Sequence, residues 1–590
     1  MSYKAEQARV RRMLEDLYAD SDSIDDFSED ENCYTENHDD YEEESSDTEQ
    51  SDVSDDEVVQ SHATKKAKTQ YLTGRDGTLW KKDSVNTFTN PLVLDTSNII
   101  PGVNACARQA KTVLECWSLL FSDEILNHIV ENTNLHIKKI SQFYSRERSA
   151  KSTDLIEIKA LIGLLYLAGC HKSSRLNVRE LWDRKGTGIE RFWLTMARDR
   201  FLFLLRGLRF DDFYARKDNI KWDKLAPIRA VFELFVENCK KCYCISDFAT
   251  VDKMLIPFRG KCAFTQYQPK KSQKQGIKIF ALVDTNSRYV FNLEIYAGKQ
   301  PDGVYAVSYD SVDVVTRLIT PISGTGRNIT GGNWFTSFPL IKTLLREHKL
   351  TYVGAVSKNN KELPTELVNS RNRPIGSSVS GFQSDVTVVS YVPKKGKNTI
   401  IASSRHNTST ADFYEEENMP DIVKFYHTTK DAVDAVGDLC MAYDVARRSQ
   451  RWPMAVLFFL LNFAGINSQI LYCSNCDESE QLTRRLFLKE LSVSLTDEHI
   501  KRRSTLTNIA PEIRLRRQEV TGIASTSKET ADQFPFGTRK RCYTCKTSKI
   551  DKQDRKTRYS CEICKKYICL SHAKFICTKC PISSVNHSEE

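Results

Sequence analysis

Eight cysteine and histidine residues near the carboxyl end stand in pairs separated by two residues, a spacing that indicates metal binding. The pairs are Cys542 with Cys545, Cys561 with Cys564, Cys569 with His572, and Cys577 with Cys580. Two intervening residues let a tight turn direct both donors at one ion, and Zn2+ takes four thiolate or imidazole donors in a tetrahedron. Eight donors therefore predict two zinc ions.

Spacing alone does not decide which pairs share an ion, although an interleaved arrangement is natural. The first and third pairs would then form a site of three thiolates and one imidazole, and the second and fourth an all-thiolate site. This cross-brace is typical of RING and PHD modules. Such a module can bind any of three kinds of partner, namely DNA, histone tails or other chromatin proteins, and a ubiquitin-conjugating enzyme. Because few apolar residues surround the pairs, zinc must supply most of the folding energy, on the order of 10 kcal/mol per site.

Charge along the chain separates an acidic amino-terminal segment from a basic body. The 590 residues carry a net charge of +8, but the segment from Glu15 to Glu57 contains 21 Asp and Glu and no Lys or Arg. The remainder has 85 basic against 56 acidic residues, or +29. A strongly basic body favours a polyanionic partner, and nucleic acid is the common one.

Two groups of basic residues are candidates for contact with DNA phosphates. The first group consists of Arg259, Lys261, Lys270, Lys271, Lys274 and Lys278. The second consists of Lys501, Arg502, Arg503, Arg514, Arg516 and Arg517. Short basic runs at Arg539–Arg541 and Lys65–Lys68 could serve nuclear import, so we expect a nuclear protein.

No membrane association is expected from the sequence. The most apolar run, Trp452 to Ala464, contains Pro453 and Asn462 and falls short of about 20 apolar residues. The amino terminus lacks an apolar signal region, so the 18 cysteines are expected to be thiols or metal ligands rather than disulfides.

Hydrophobic periodicity divides the body into helical and mixed regions. Residues 103–248 repeat apolar positions at helical spacing, and from Ala249 the alternation becomes that of strands. Residues 249–358 predict three strands, a helix, a short strand, a helix and a strand, the element order of an RNase H-like domain. A β-rich insertion follows, and helical character returns at Asp431.

The residues of three segments resemble the catalytic segments of piggyBac-type DNA transposases. They begin at Thr250-Val-Asp-Lys-Met-Leu-Ile-Pro-Phe-Arg-Gly, Arg327-Asn-Ile-Thr-Gly-Gly-Asn-Trp and Lys424-Phe-Tyr-His-Thr-Thr-Lys-Asp-Ala-Val-Asp. The resemblance continues at Arg451-Trp-Pro-Met-Ala and in the zinc module, and it covers the chain from about Val103 to Cys580. It implies an RNase H-like core with three catalytic Asp, Mg2+ as cofactor, cleavage at TTAA sites, and a homodimer acting on double-stranded DNA.

Carried over by position, the first catalytic Asp is Asp252 and the third is Asp434, whereas Gly332 occupies the second position. A pair of divalent ions about 4 Å apart activates and stabilises the reacting oxygens in phosphoryl transfer, and carboxylates hold them. Other acids lie near in sequence, but none stands where the missing ligand belongs; they are Asp310, Asp313, Asp431 and Asp438.

The sequence therefore predicts a transposase-derived DNA-binding protein that no longer cuts DNA. Two alternatives stay open: an active transposase with an unrecognised ligand, and a RING-type ubiquitin ligase or adaptor. The expected fold is a multidomain α+β protein with an RNase H-like core, a β-rich insertion, flanking all-α segments and a cross-brace zinc module.

The expected domains have the following boundaries. They are a disordered acidic region at 1–102, helical DNA-binding and dimerisation segments at 103–248 and 444–520, the core at 249–358 and 421–443, the insertion at 359–420, a basic linker at 521–540, and the zinc-binding domain at 541–582.

Overall fold

The computed structural model describes residues 71–82, 100–144, 150–267, 275–406, 419–506, 511–522, 540–547, 556–561 and 564–573. The chain separates into two compact units, Met1–Arg517 and Gln518–Glu590. The acidic segment from Glu15 to Glu57, for which disorder is predicted, lies outside the described residues.

The described residues from Tyr71 to Thr521 form thirteen strands and sixteen α-helices, a mixed α/β composition. The strands are β1 (Tyr71–Thr73), β2 (Leu79–Lys81), β3 (Gly102–Val103), β4 (Tyr243–Cys244), β5 (Phe248–Pro257), β6 (Thr265–Tyr267), β7 (Gln275–Asp284), β8 (Val290–Ile295), β9 (Asn328–Gly331), β10 (Thr351–Ala355), β11 (Ser378–Phe382), β12 (Thr387–Lys394) and β13 (Lys397–Ser403). The helices are α1 (Val113–Leu120), α2 (Asp123–Ile140), α3 (Leu155–Cys170), α4 (Val178–Leu181), α5 (Glu190–Thr195), α6 (Arg198–Gly207), α7 (Arg216–Asn219), α8 (Arg229–Cys242), α9 (Ser311–Ile319), α10 (Phe338–Arg346), α11 (Thr365–Val368), α12 (Asp421–Thr429), α13 (Ala432–Ala442), α14 (Trp452–Asn475), α15 (Arg484–Ser504) and α16 (Pro511–Thr521).

Side-chain caps start several of these helices at the positions where the sequence changes from polar to apolar. Thr112 and Glu115 form a reciprocal capping box at α1. The side chains of Ser122 and Asp154 accept backbone N–H groups at the starts of α2 and α3. Each such cap satisfies an otherwise unpaired donor and contributes about 1 kcal/mol to helix stability.

One large mixed sheet forms the centre of the unit. Its strand order is β1-β2-β11-β12-β13-β10-β9-β5-β7-β6, and β8 also pairs with β7. The central strand β5 runs parallel to β9 and antiparallel to β7, and β9 runs parallel to β10. The strands and helices predicted between residues 249 and 358 are present in the predicted order, and one further strand, β6, which the sequence does not predict, pairs with β7.

The predicted insertion at 359–420 does not form a separate layer. Strand β13 pairs antiparallel with β10, with Gly354 opposite Ala402, and β12 and β11 continue outward from it. These strands therefore widen the core sheet. Their outer partner is unexpected, because Lys81 of β2 pairs with Phe382 of β11.

Residues 71–82 form a β-hairpin, although the sequence predicts disorder as far as residue 102. Trp80 is 0% exposed, its ring lies 5.1 Å from that of Phe338, and its Nε1 donates to the carbonyl of Glu362 at 2.8 Å. Arg75 donates to the carbonyls of Lys358 and Asn360. One buried indole therefore anchors a segment whose surroundings in sequence are polar.

Helix α14 passes through the interior of the helical part. By length and composition alone its 24 residues could cross a membrane, but 83% of its most apolar stretch is buried inside the protein. It packs against α1, while α15 packs against α3. A buried helix of this kind is apolar on all sides, so its composition is that of a core helix.

The carboxyl-terminal unit has few regular elements among its described residues. They are β14 (Lys540–Arg541), α17 (Tyr543–Thr547) and β15 (Lys556–Thr557), and Arg541 pairs with Lys556. A short 3-10 turn at Leu570–His572 follows.

Candidate catalytic remnant and candidate metal centre

Three threonines fasten the end of α12 to the two parallel strands β5 and β9. The hydroxyl of Thr250 donates to the carbonyl of Thr429 at 2.7 Å, and Thr330 donates to the hydroxyl of Thr429 at 2.9 Å. Thr250 and Thr330 are register partners. Their shared contact shows that both point to the face of the sheet that α12 and α13 cover.

Asp252 points to this same face, because side chains two residues apart on a strand share a face. Farther along β5, Met254 lies under α13: its Cε would be 3.6 Å from a Cβ at Gly437. Asp252 thus lies between Thr250, which contacts Thr429, and Met254, which lies under Gly437. In the sequence, Asp434 lies between Thr429 and Gly437. The register brings the two predicted carboxylates to one region, with Asp252 half-buried and Asp434 exposed.

Gly332 follows directly after the end of β9, the strand that runs parallel to the one carrying Asp252. The last register pair of the parallel strands is Val251 with Gly331, so the next residues along are Asp252 and Gly332. Gly332 has extended backbone (φ −74°, ψ 179°) and follows Thr330 by two residues. A side chain at position 332 would therefore point toward Asp252 and α13.

The neighbouring glycine differs, because its backbone is closely packed. A Cβ at Gly331 would lie 2.2 Å from Oη of Tyr352. The backbone of Gly332 instead has a conformation that any residue adopts. Packing therefore requires glycine at position 331, whereas the backbone dihedrals at position 332 do not.

A pair of magnesium ions does not fit the residues present at this site. Magnesium prefers oxygen ligands, and Gly332 offers no side-chain oxygen between Asp252 and Asp434. Within the described part of the chain, three or more Cys, His, Asp or Glu donors lie within 4.8 Å of one another only in a carboxyl-terminal group.

The first predicted basic group is divided by the structure. Arg259 and Lys261 are exposed just beyond the end of β5. Lys278 is only 4% exposed, and its Nζ lies 4.5 Å from the ring centre of Tyr296 and 5.4 Å from that of Trp334. The ammonium of Lys278 is therefore enclosed by aromatic rings instead of facing solvent. Lys270, Lys271 and Lys274 lie outside the described residues.

Most of the second basic group makes contacts within the protein. Arg502 pairs with Asp154, and Arg516 pairs with Glu190. Arg503 donates to the carbonyl of Thr195, and Arg517, which is 1% exposed, donates to that of Leu194. These side chains tie α15 and α16 to α3 and α5.

Four of the eight predicted zinc donors lie together in the carboxyl-terminal unit. The ligand atoms of Cys542, Cys545, Cys569 and His572 are all within 4.8 Å of one another. The sulfurs of Cys545 and Cys569 are 3.7 Å apart, and Nδ1 of His572 lies 3.3 to 3.8 Å from the three sulfurs. A tetrahedron with zinc–sulfur bonds of about 2.3 Å has edges of about 3.8 Å, so the donors fit one zinc ion.

The protonation of these thiols depends on neighbouring N–H groups. Burial raises the pKa of the Cys542 thiol. Hydrogen bonds, first among them those from the backbone N–H groups of Cys545 and Cys569, outweigh burial and lower the pKa to about 6. Thiolate is the form that binds metal. A bound zinc ion would cross-link the turn at Cys542–Cys545 to the turn at Cys569–His572.

The remaining donors are only partly described. Cys561 is half-buried and Cys564 is exposed, and Lys565 after them has a left-handed backbone (φ 56°). Cys577 and Cys580 lie outside the described residues. The geometry thus unites the first and third pairs, as the interleaved arrangement predicts, and the all-thiolate site stays a prediction.

Comparison with known proteins identifies the class and then the family. A family model described as Transposase IS4 matches residues 112–469, which is more than half of the chain. The protein is therefore a transposase-type protein by sequence and fold. A solved structure, the cryo-EM structure of the piggyBac transposase synaptic complex with hairpin DNA, is 34% identical, with a TM-score of 0.69, and the match covers 82% of this chain and 100% of that chain. The chain belongs to the piggyBac transposase family.

Proposed function

We propose that this protein binds double-stranded DNA through a transposase scaffold whose cleavage site has lost one carboxylate. The observation that carries the proposal is the register of β5 and β9, whose last pair, Val251 with Gly331, comes one residue before Asp252 and Gly332. The scaffold around this position is intact, while the ligand itself is missing. Loss of cleavage without loss of the DNA-binding surface follows from this combination.

The arrangement around β5 supports an RNase H-like core. Such a core requires three parts. They are a central strand that carries the first acid, a parallel neighbour that ends at the second position, and a helix that carries the third acid. Residues 359–406 extend this core sheet outward through β13. The remnant acids Asp252 and Asp434 then act as solvated or hydrogen-bonded groups.

The proposal also includes the kind of ligand, the residues that contact it, and the metal content, assembly and location of the protein. The similar piggyBac structure is a complex with hairpin DNA, and the basic body of this chain suits the same kind of ligand. Among the described members of the first basic group, Arg259 and Lys261 are exposed and can reach phosphates, whereas Lys278 is buried. Two zinc ions, a homodimer and a nuclear location complete it.

Cleavage and binding assays on one set of proteins test the proposal. Purified protein is incubated with a labelled duplex carrying a TTAA-flanked element end, with and without Mg2+. We expect binding to the duplex and no nicking. Clear Mg2+-dependent nicking by the unmodified protein would refute inactivity in favour of an active transposase, and absence of binding would refute DNA recognition.

Restoring the carboxylate provides the complementary test. Gly332→Asp is expected to produce Mg2+-dependent nicking at least about 100-fold above the unmodified protein, because about 3 kcal/mol of barrier suffices for that change. Gly332→Asn has the same shape without the charge and serves as the matched control. Adding Asp434→Asn to Gly332→Asp should abolish the gained activity; activity that survives it would place the reaction at another site.

A further inference from the structure

A tight turn in the helical part of the amino-terminal unit presents two cations on a rigid base. The turn spans residues 183–188 between α4 and α5. Its backbone requires glycine at two positions: Gly186 has φ 116°, and a Cβ at Gly188 would lie 2.2 Å from the carbonyl oxygen of Asp183.

The only acid within the turn is committed to its own hydrogen bonds. Asp183 accepts from the hydroxyl of Thr187 at 2.7 Å and from the backbone N–H groups of Lys185 and Thr187 at 3.1 and 3.3 Å. The Thr187 hydroxyl and the Lys185 N–H hold the pKa of Asp183 below its usual value. This carboxylate therefore shapes the turn.

The core beneath fixes the turn in place. The Nε1 of Trp182 donates to the carbonyl of Met196 at 2.8 Å, and its ring contacts those of Phe192 and Phe201 at 4.8 and 4.9 Å. The guanidinium of Arg184 lies 5.0 Å above the ring of Trp193. Stacking restricts the Arg184 side chain, so a ligand that pairs with it pays less ordering entropy.

Further basic residues meet the turn around an open hollow of about 420 Å3. Arg179, Arg184, Lys185 and Arg198 line it together with Asp183 and Asp199, which leaves a net charge of +2. Asp199 pairs with Arg198 at 2.8 Å. The hollow is open, and all of its lining residues except Trp182 are charged, which suits a backbone of phosphates better than an apolar small molecule.

We propose that this basic hollow, defined by Arg179, Arg184, Lys185 and Arg198, is a contact site for the phosphate backbone of double-stranded DNA. The inference rests on the proposed DNA-binding function and extends it to a surface apart from the predicted basic groups. Arginine on a planar support and lysine as a point charge are the usual phosphate partners. The hollow contributes affinity and positioning without reading sequence.

The salt dependence of DNA affinity tests the inference. Each phosphate contact contributes about −0.9 to the slope of log K against log [salt]. Arg184→Gln/Lys185→Gln should therefore reduce the slope for a labelled 30-base-pair duplex of arbitrary sequence by about 2. Between 50 and 200 mM salt, the double variant should lose about tenfold less affinity than the unmodified protein.

Two matched variants separate a local contact from general charge. Lys394→Gln/Lys395→Gln removes two exposed charges at the β12–β13 turn and should leave the slope unchanged. Arg184→Lys/Lys185→Arg keeps the charges of the hollow and should retain most of the slope, which also shows that an altered slope does not arise from misfolding.

Each contrary result has a distinct meaning. If the unmodified protein binds the duplex and Arg184→Gln/Lys185→Gln has the same slope, the hollow is not a DNA contact, while the proposed function stands. An equal reduction from the Lys394/Lys395 variant also overturns the assignment. A reduced slope with an RNA duplex but not with DNA overturns the choice of ligand. Absence of any duplex binding by the unmodified protein overturns the proposed function together with this inference.

Discussion

The two adjacent glycines at the end of β9, Gly331 and Gly332, differ in what their surroundings require. Gly331 is required because Oη of Tyr352 occupies the space of a Cβ, and that hydroxyl also lies 3.1 Å from the hydroxyl of Thr336. Gly332 has an extended backbone open to other residues. The backbone at position 332 therefore accepts glycine and other residues alike, as the proposed absence of a carboxylate ligand at this position requires.

Substitution of these two glycines should separate the two cases. Gly331→Ala is expected to lower the free energy of unfolding by about 1 to 3 kcal/mol, because overpacking forces Tyr352 or the strand to move. Gly332→Ala should cost less than Gly331→Ala, because the extended backbone at position 332 is one that any residue adopts. Urea denaturation followed by tryptophan fluorescence measures both. Equal losses at the two positions would show that position 332 is also closed to side chains.

Single residues also mark the limits of prediction from sequence. The spacing of Cys542 with Cys545 and of Cys569 with His572 suffices to predict two metal-binding knuckles, because a knuckle is a local structure. Which knuckles share an ion depends on long-range contacts, and spacing does not decide it. Lys278 appears from sequence as one of several basic residues. The face of the sheet on which the Lys278 side chain lies is fixed by the pairing of Lys278 with Leu255. This face places the ammonium among aromatic rings. No local pattern carries that information.

At the scale of elements, the hairpin of β1 and β2 was the least predictable part of the fold. Alternation over three residues is too short to distinguish a strand, and low-complexity sequence surrounds it. The strands of the insertion were predictable from β-type runs, but their membership in the core sheet was not, since it depends on β13 meeting β10. Basic residues of α15 and α16 similarly find acids and carbonyls far away in sequence.

Trp80 should hold the hairpin on the sheet. Trp80→Ala removes a side chain that is 0% exposed, so a loss of about 3 to 5 kcal/mol in the attachment of the hairpin is expected. Limited proteolysis should then cleave residues 71–82 much faster than in the unmodified protein. Tyr71→Ala, at a side chain that is 45% exposed, is the control and should leave the rate unchanged. Equal protection in the Trp80 variant would mean that Arg75 and the backbone pairs suffice.

At the scale of the whole molecule, two units use different sources of stability. The amino-terminal unit buries a continuous core of apolar side chains, whereas the cluster in the carboxyl-terminal unit consists of Cys542, Cys545 and Cys569. If the described residues represent the core of this unit, we expect it to depend on metal to fold. Withdrawal of metal should thus affect one unit and spare the other.

Metal analysis and chelation test this division. We expect two zinc ions per chain by mass spectrometry, and His572→Ala should retain about one, because three donors remain where four are needed. His348→Ala, at a histidine outside the cluster, should retain both. Excess chelator should abolish the unfolding transition of the carboxyl-terminal unit and leave that of the amino-terminal unit within about 1 °C. A lowered unfolding temperature of the amino-terminal unit in chelator would show that the units stabilise each other.

The anchoring of Trp80 also affects the order of events during synthesis. The indole donates to Glu362, 282 residues farther along the chain. At roughly 5 to 20 residues per second, about 15 to 60 s separate the emergence of the two residues from the ribosome. For that period a large aromatic side chain has no docking partner, and the nascent hairpin is a candidate client for chaperones until the last strands of the sheet arrive.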